Sequence, residues 1–231
     1  QLTVSHRQQH PSNQRVIIVG NPTLASQLQQ PPYELSPLPY AEQEAKQIAA
    51  LFHTQAWTGK QATKMSLLQQ MPQASLIHLA THGLLDDFTG GGVPGAIALA
   101  PSERDNGLLT ASEILDLKLR ADLVVLSACD TGRGRITGDG VIGLSRSLIT
   151  AGVSSVLVSL WSVPDVPTAL LMTEFYRNLE KGLDTAQALR QAMLTIKNNY
   201  PNPVSWAAFT LIGHSGVVQL QPIDGQAANK H

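Results

Sequence analysis

The chain alternates short apolar runs with longer amphipathic stretches. The runs are Arg15–Gly20 (RVIIVG), Ser75–Thr81 (SLIHLAT), Ala96–Ala100, Leu123–Ala128 (LVVLSA), Ser154–Leu160 (SSVLVSL) and Trp206–Ile212. They are rich in Val, Ile and Leu, which predicts strands buried on both faces. Between them, Ala41–Phe52 places Ala45, Ile48, Ala49 and Phe52 on one face of a helix, behind a loop marked by Pro31, Pro32, Pro37 and Pro39. Thr110 with Glu113 three residues on predicts a capped helix start. Pro167 opens a predicted helix over 167–181 that stops at Gly182, and Asp184 caps a last helix that runs to about Tyr200, before Pro201. Strand and helix in alternation predict one three-layer α/β unit, with a mainly parallel central sheet flanked by helices.

The ends and one internal segment depart from this pattern. Residues 1–14 are polar and follow neither period, which reads as a linker or frayed terminus. The folded unit is expected over residues 15–216, with 217–231 as a C-terminal tail. Asp86–Pro94 (DDFTGGGVP) holds three consecutive glycines and reads as a mobile loop. Residue 1 is Gln rather than Met, which reads as a piece of a longer chain.

Composition narrows the function. With 231 residues, 43% of them hydrophobic and 14% charged, the chain can bury a full core, and disorder is excluded as its main state. A formal net charge of -1 supplies no general field for a phosphate backbone or an anionic bilayer, so neither nucleic acid nor membrane is an expected partner. No apolar run reaches the ~20 residues that span a bilayer, and the first twenty residues lack the plan of a signal peptide. Cys129 is the single cysteine and cannot form an internal disulfide, which fits a reducing, cytoplasmic setting.

In open parallel α/β sheets, ligands bind where strands end at their carboxyl side, because loops and helix N-termini converge there. Two reactive side chains fall at such ends. His82 follows the Ser75–Thr81 run and precedes Gly83, and Cys129 follows Leu123–Ala128 and precedes Asp130. A thiol attacks only as the thiolate and needs a neighbouring base or a positive environment. Imidazole at the end of an adjacent strand supplies one. If the two strands are neighbours, the amides of Gly83 and Cys129 face the same crevice, where an acyl-transfer oxyanion needs donors. Taken alone, a cysteine at a strand end also reads as a small buried hydrophobe.

Other patterns carry less. His78 and His82 form H-x3-H, but the surrounding run reads as a strand and no third ligand accompanies them, so His78 is expected to be a satisfied core histidine and no metal is called for. Gly138-Asp139-Gly140-Val141-Ile142-Gly143 fits G-x-G-x-x-G, yet no strand ends directly before it and position 163 is Val instead of an acid. Nothing in the chain calls for a cofactor.

A longer series of motifs is informative together: Pro39-Tyr40-Ala41-Glu42-Gln43-Glu44-Ala45, Ala80-Thr81-His82-Gly83, Val124-Val125-Leu126-Ser127-Ala128-Cys129-Asp130-Thr131-Gly132, Gly138-Asp139-Gly140, Ala151-Gly152-Val153, Ser159-Leu160-Trp161-Ser162-Val163 with Asp165, and Ala188-Leu189-Arg190. In type and order, over about residues 15–215, this series resembles the CHAT domain, a caspase-like family associated with TPR repeats and related to caspases and separases. The resemblance implies a caspase-like three-layer sandwich and a cysteine endopeptidase acting on a protein or peptide substrate. His82 would be the general base and acid, Cys129 the nucleophile, and the amides of Gly83 and Cys129 the oxyanion donors. It also implies a TPR region or regulatory partner that gates activity. No third triad carboxylate is required in this group; Asp86 and Asp87 read as solvated loop acids.

For the pocket that takes the residue before the cleaved bond (P1), Asp130 and Asp165 are the acidic candidates, Arg133 and Arg135 the basic ones, and Trp161 a candidate wall. Caspases carry a basic residue just after the catalytic Cys, whereas this chain has Asp130, so the lean is to Arg or Lys at P1. If P1 is basic, the Gly-rich segment Thr131–Asp139 (TGRGRITGD) is a candidate self-cleavage site. Two other readings stay open: a non-catalytic interaction module that holds a peptide in the strand-end crevice, and a small-molecule thiol amidase using the same dyad.

Overall fold

Five of the six predicted strand runs join one sheet. In the computed structural model, which describes residues 15–31, 33–84, 95–127 and 138–218, strand β1 (Arg15–Pro22) leads through a proline-bounded loop to helix α1 (Pro39–Leu51) and the short β2 (Trp57–Gly59). Helix α2 (Lys64–Gln70) returns the chain to β3 (Ala74–Ala80), which is followed by β4 (Gly83–Leu84), β5 (Ala96–Ala98), β6 (Leu108–Thr110) and α3 (Ala111–Leu115). Then come β7 (Leu123–Leu126), α4 (Gly138–Thr150), β8 (Ser155–Ser159), α5 (Asp165–Glu180), α6 (Thr185–Asn199) and β9 (Phe209–Gly213).

The main sheet has the order β2-β1-β3-β7-β8-β9. Its pairings are parallel up to β8, and only β9 runs antiparallel to its neighbour. Helices cover both faces, so the strands need no polar side, and successive residues feed two separate cores. Ile17, Val19, Ile77, Leu79, Val124 and Leu126 pack with Leu67 of α2, Ile114 of α3 and Leu148 of α4. Ile18, Leu76, Val125 and Leu157 pack on the other face with Ile48 of α1, Phe175 of α5 and Ala192 of α6. The architecture is the three-layer α/β sandwich that the alternation of patterns predicts.

The sixth run forms a structure of its own. Ala96–Ala98 is the middle strand of a separate antiparallel sheet, β4-β5-β6, so the expectation that every apolar run belongs to the central sheet does not hold there. Its small cluster includes Leu24, Leu28, Leu35, Leu84 and Leu108. The last run is shorter than predicted: Pro203–Ser205 makes a 3-10 turn capped by the Asn202 side chain, and the strand begins only at Phe209. Helix α5 starts at Asp165, two residues before Pro167; a proline in the first turn forfeits no helical hydrogen bond. The Thr110 and Asp184 caps form as the sequence predicts, Thr110 in a full capping box with Glu113.

Candidate functional site

Strands β3 and β7 are hydrogen-bonded parallel neighbours, with His78 opposite Val125 and Leu79 opposite Leu126. The chain beyond β3 reaches His82 after two residues, and β7 leads to Ser127. Cys129, Asp130, Arg133, Arg135, Asp86 and Asp87 lie outside the described residues, as do the segments 1–14, 86–94 and 131–137 and most of the 217–231 tail.

His82 is fixed where the two sheets meet. Ala98 donates its N–H to the His82 carbonyl at 2.9 Å, and the Thr81 hydroxyl donates to the Ala98 carbonyl at 2.6 Å. The next opposed pair, Gly83 and Ile97, is then of the non-hydrogen-bonded kind, which turns the Gly83 N–H away from β5. His82 is 2% exposed, and its Nε2 lies 2.7 Å from the carbonyl oxygen of Ser36. A carbonyl only accepts, so Nε2 carries the hydrogen and Nδ1 is the basic nitrogen. Burial holds the imidazole below its ordinary pKa, against the smaller opposing pull of the Ser36 carbonyl.

The Ser36 carbonyl has its own supports. Leu35 is buried in the small cluster, and Leu38 donates its N–H to Oδ1 of Asn21 at 2.8 Å. Asn21 follows Gly20 at the end of β1 with φ of 46°, a left-handed conformation that asparagine tolerates better than most residues. At Gly20 a Cβ would lie 2.4 Å from Cβ of Ala45 and 2.5 Å from the Ala41 carbonyl, so helix α1 can approach β1 only because this residue is glycine. Neither Ser36 nor Asn21 is singled out by the sequence, because a main-chain acceptor leaves no residue-type signature.

A cleft of about 350 Å³ lies between the N-termini of α1 and α5, with Leu38, Glu44, Ser127, Asp165, Thr168 and Val204 in its lining. Asp165 takes the N–H of Tyr40 on Oδ2 at 3.2 Å, so a carboxylate of one helix caps the first turn of the other. Burial raises the Asp165 pKa; the Tyr40 N–H opposes this, and the Glu44 charge adds to it. Trp161 does not line the cleft. It packs against the core on the α5 face and donates Nε1–H to the Val204 carbonyl at 3.2 Å.

Glu44 was not among the sequence candidates. It is 1% exposed, and Oε1 lies 2.9 Å from Nε2 of His78, whose Nδ1 is 3.1 Å from the Tyr176 hydroxyl. That approach is not aligned as a hydrogen bond, and neither Glu44 oxygen has a hydrogen-bond partner among the described residues. His78 itself is fully buried. Burial, with the Glu44 charge added, pushes the Tyr176 phenol well above its ordinary pKa.

Solved structures with a similar course of chain are caspase-like. Gingipain R, described as an Arg-specific cysteine proteinase, aligns with a TM-score of 0.55 at 11% identity, covering 88% of this chain and 46% of that one. Separase of Saccharomyces cerevisiae, solved with securin, aligns with a TM-score of 0.52 at 15% identity, covering 86% of this chain and 12% of that one. At such identities the likeness is one of fold: the molecule has the caspase-like α/β fold. Within that class the chain belongs to the CHAT family, whose model, described as CHAT domain, matches residues 1–214.

Its relatives include tetratricopeptide repeat protein 28 of Mus musculus, 33% identical over 230 residues, covering 85% of this chain and 9% of the relative. The Homo sapiens protein of the same name is 32% identical over 247 residues, covering 90% of this chain and 10% of the relative. The chain thus spans about a tenth of the length of these relatives. Among the described residues, no helix is long and apolar enough to cross a membrane.

Proposed function

We propose that the chain is a cysteine endopeptidase domain in which Cys129 and His82 form the reacting pair and the cleft lined by Ser127 and Asp165 takes a basic P1 side chain. The observation that carries this reading is the state of His82: a buried imidazole just beyond β3 that donates Nε2–H to the Ser36 carbonyl, which makes Nδ1 the basic nitrogen. The adjacent strand β7 leads in sequence to the chain's one thiol.

In this mechanism Nδ1 of His82 takes the proton of the Cys129 thiol, and the thiolate attacks the scissile carbonyl. The amides of Gly83 and Cys129 receive the oxyanion. His82 returns the proton to the leaving amine as the C–N bond breaks, leaving a thioester. Water, deprotonated by His82, then hydrolyses the thioester and frees the thiol. The Ser36 carbonyl serves as orienter of the ring, in the place that an aspartate takes in a Ser-His-Asp triad. Asp165 puts an acidic group in the cleft that contains Ser127, two residues before Cys129, which supports Arg or Lys at P1. The tetratricopeptide-repeat relatives support a repeat region in the same polypeptide, or a partner, that controls the domain.

The test is cleavage of a P1-scanned fluorogenic peptide set by the chain and by Cys129→Ala, with alkylation of Cys129 followed by mass spectrometry in the same samples. Turnover abolished in the variant and highest with Arg or Lys at P1 is expected. Absent turnover with fast, His82-dependent alkylation identifies an armed domain that lacks its activator. Absent turnover with a thiol that alkylates as slowly as a free cysteine identifies an interaction module instead.

A further inference from the structure

Of the three non-glycine residues with a left-handed φ among the described residues, two border the loop that meets His82: Asn21, at 46°, and Glu34, at 52°. Glycine adopts this conformation without strain, so a side chain held in it points to a use for the side chain itself. Asn21 shows one. Its Oδ1 accepts the N–H of Leu38 at 2.8 Å, and its Nδ2 donates to Oε2 of Glu42 at 3.4 Å. Lys46, 2.6 Å from Glu42, and the Asn21 amide hold the Glu42 carboxyl below its ordinary pKa, so it stays an anion that only accepts. The side chain at position 21 must therefore accept from a main-chain N–H and donate to a carboxylate. Of the residues that adopt this φ readily, asparagine does both, whereas glycine offers neither group and ionised aspartate has no donor.

The grip on Leu38 reaches His82 through a stiff piece of chain. Residues 36–39 read Ser-Pro-Leu-Pro, in which each proline ring fixes its own φ and disfavours helical backbone in the residue before it. Between the Ser36 carbonyl and the Leu38 N–H, the only soft dihedral is then ψ of Pro37. On the other side, Leu35 is buried and donates its N–H to the Leu28 carbonyl at 2.9 Å. The carbonyl that meets Nε2 of His82 at 2.7 Å is thus held between two anchors. Strand pairing puts Asn21 in reach of the second one: Gly20 lies opposite Ala80, so β1 and β3 leave the sheet side by side, one toward Asn21 and the other toward His82. We propose that Asn21 is the positioning residue for His82: by holding Leu38 it keeps the Ser36 carbonyl on Nε2 and so fixes the ring with its hydrogen there and Nδ1 as the base. The inference deepens the peptidase reading and rests on it for any consequence in turnover, but its effect on the ring needs none.

Asn21→Gly and Asn21→Asp in the full chain are the test. Glycine suits the left-handed φ and removes the grip, whereas aspartate keeps an oxygen for Leu38. The Nε2–H proton of His82 is followed by NMR with Cys129→Ala in every chain. Its exchange with water is expected to be about tenfold faster in Asn21→Gly, the measure of one lost hydrogen bond, and close to the parent rate in Asn21→Asp. With Cys129 present, Asn21→Gly is expected to lower kcat about tenfold with KM unchanged, because the cleft is untouched, and Asn21→Asp to restore it. Parent-like exchange of the ring proton in Asn21→Gly, or a loss in Asn21→Asp as large as in Asn21→Gly, overturns the assignment. Should Asn21→Gly fail to fold, the Leu38 amide of the unmutated chain decides: protection from exchange is expected, and exchange at the rate of an unstructured amide overturns it. A ring proton released by Asn21→Gly, in a chain that shows no turnover and whose Cys129 alkylates as slowly as a free cysteine, leaves Asn21 assigned and removes the peptidase. Turnover by the parent chain that Asn21→Gly leaves unaltered, with the ring proton unaltered too, does the reverse.

Discussion

A buried histidine whose Nε2 faces a main-chain carbonyl has one tautomer available, and that fixes which nitrogen of His82 can work as a base. Because burial depresses its pKa from the ordinary value near 6.5, the unfolded chain takes up the proton first as pH falls. The stability contributed by the neutral ring is thus present above about pH 6.5 and is lost as pH drops from there through the lower, folded-state value. An NMR titration of His82 in the Cys129→Ala chain should give a midpoint below 6.5, and urea denaturation should show a smaller loss of stability between pH 7 and pH 5 in His82→Gln than in the parent. A midpoint at or above the ordinary value would contradict the desolvated setting. The sequence made His82 visible because a histidine directly after an apolar run stands where a parallel sheet collects its ligands. It hid Glu44, because Ala41–Phe52 contains several charged and amide residues and the eye assigns them all to the wet face. The spacing held the clue: positions 41, 44, 45 and 48 share one side of a helix, and an acid among them is a buried one.

At the level of elements, β1, β3, β7, β8 and β9 and the helices α1, α5 and α6 were legible because their patterns are set by burial on both sheet faces. The failures have local causes. The seven residues of α2 are too few to display a 3.6-residue period, and β4 and β6, at two and three residues, show no period at all. Ala96–Ala100 has the composition of a central strand, but its partners come from a hairpin-like sheet that nothing in the run announces. Helix α1 is the element on which the site depends most, since it bears Glu44 and follows directly on the loop holding Ser36. Gly20→Ala would put a methyl group 2.4 Å from Cβ of Ala45, so α1 must move outward. Overpacking of this kind costs about 1–3 kcal/mol. Thermal denaturation should show that loss, and the His82 titration midpoint should shift as the Ser36 carbonyl withdraws; an unchanged midpoint in a destabilised variant would mean that the loop holds its place without α1.

On the scale of the whole molecule, the two sheets differ in how they are secured. Strands β3 and β7 have hydrogen-bonded neighbours on both sides and a core above and below, whereas β4, β5 and β6 are only two or three residues long, with Ile97 and Leu109 reaching the main core and Leu84, Ala96, Ala98 and Leu108 packed in the small cluster. Hydrogen exchange should therefore be slowest in β3 and β7 and faster in β5, β6 and the edge strand β9, by local opening. Protection of β5 equal to that of β3 would show that the sheets unfold as one unit. The central sheet also separates two kinds of interior. The face covered by α2, α3 and α4 buries an aliphatic cluster, while Glu44, His78 and Tyr176 lie together on the face covered by α1 and α5. For protein engineering this makes the two faces separate dials: a library of volume-conserving changes at Leu67, Ile114, Leu144 and Leu148 can raise heat tolerance without touching a residue that meets the cleft, and selectivity can be redesigned from the opposite side on the scaffold so hardened.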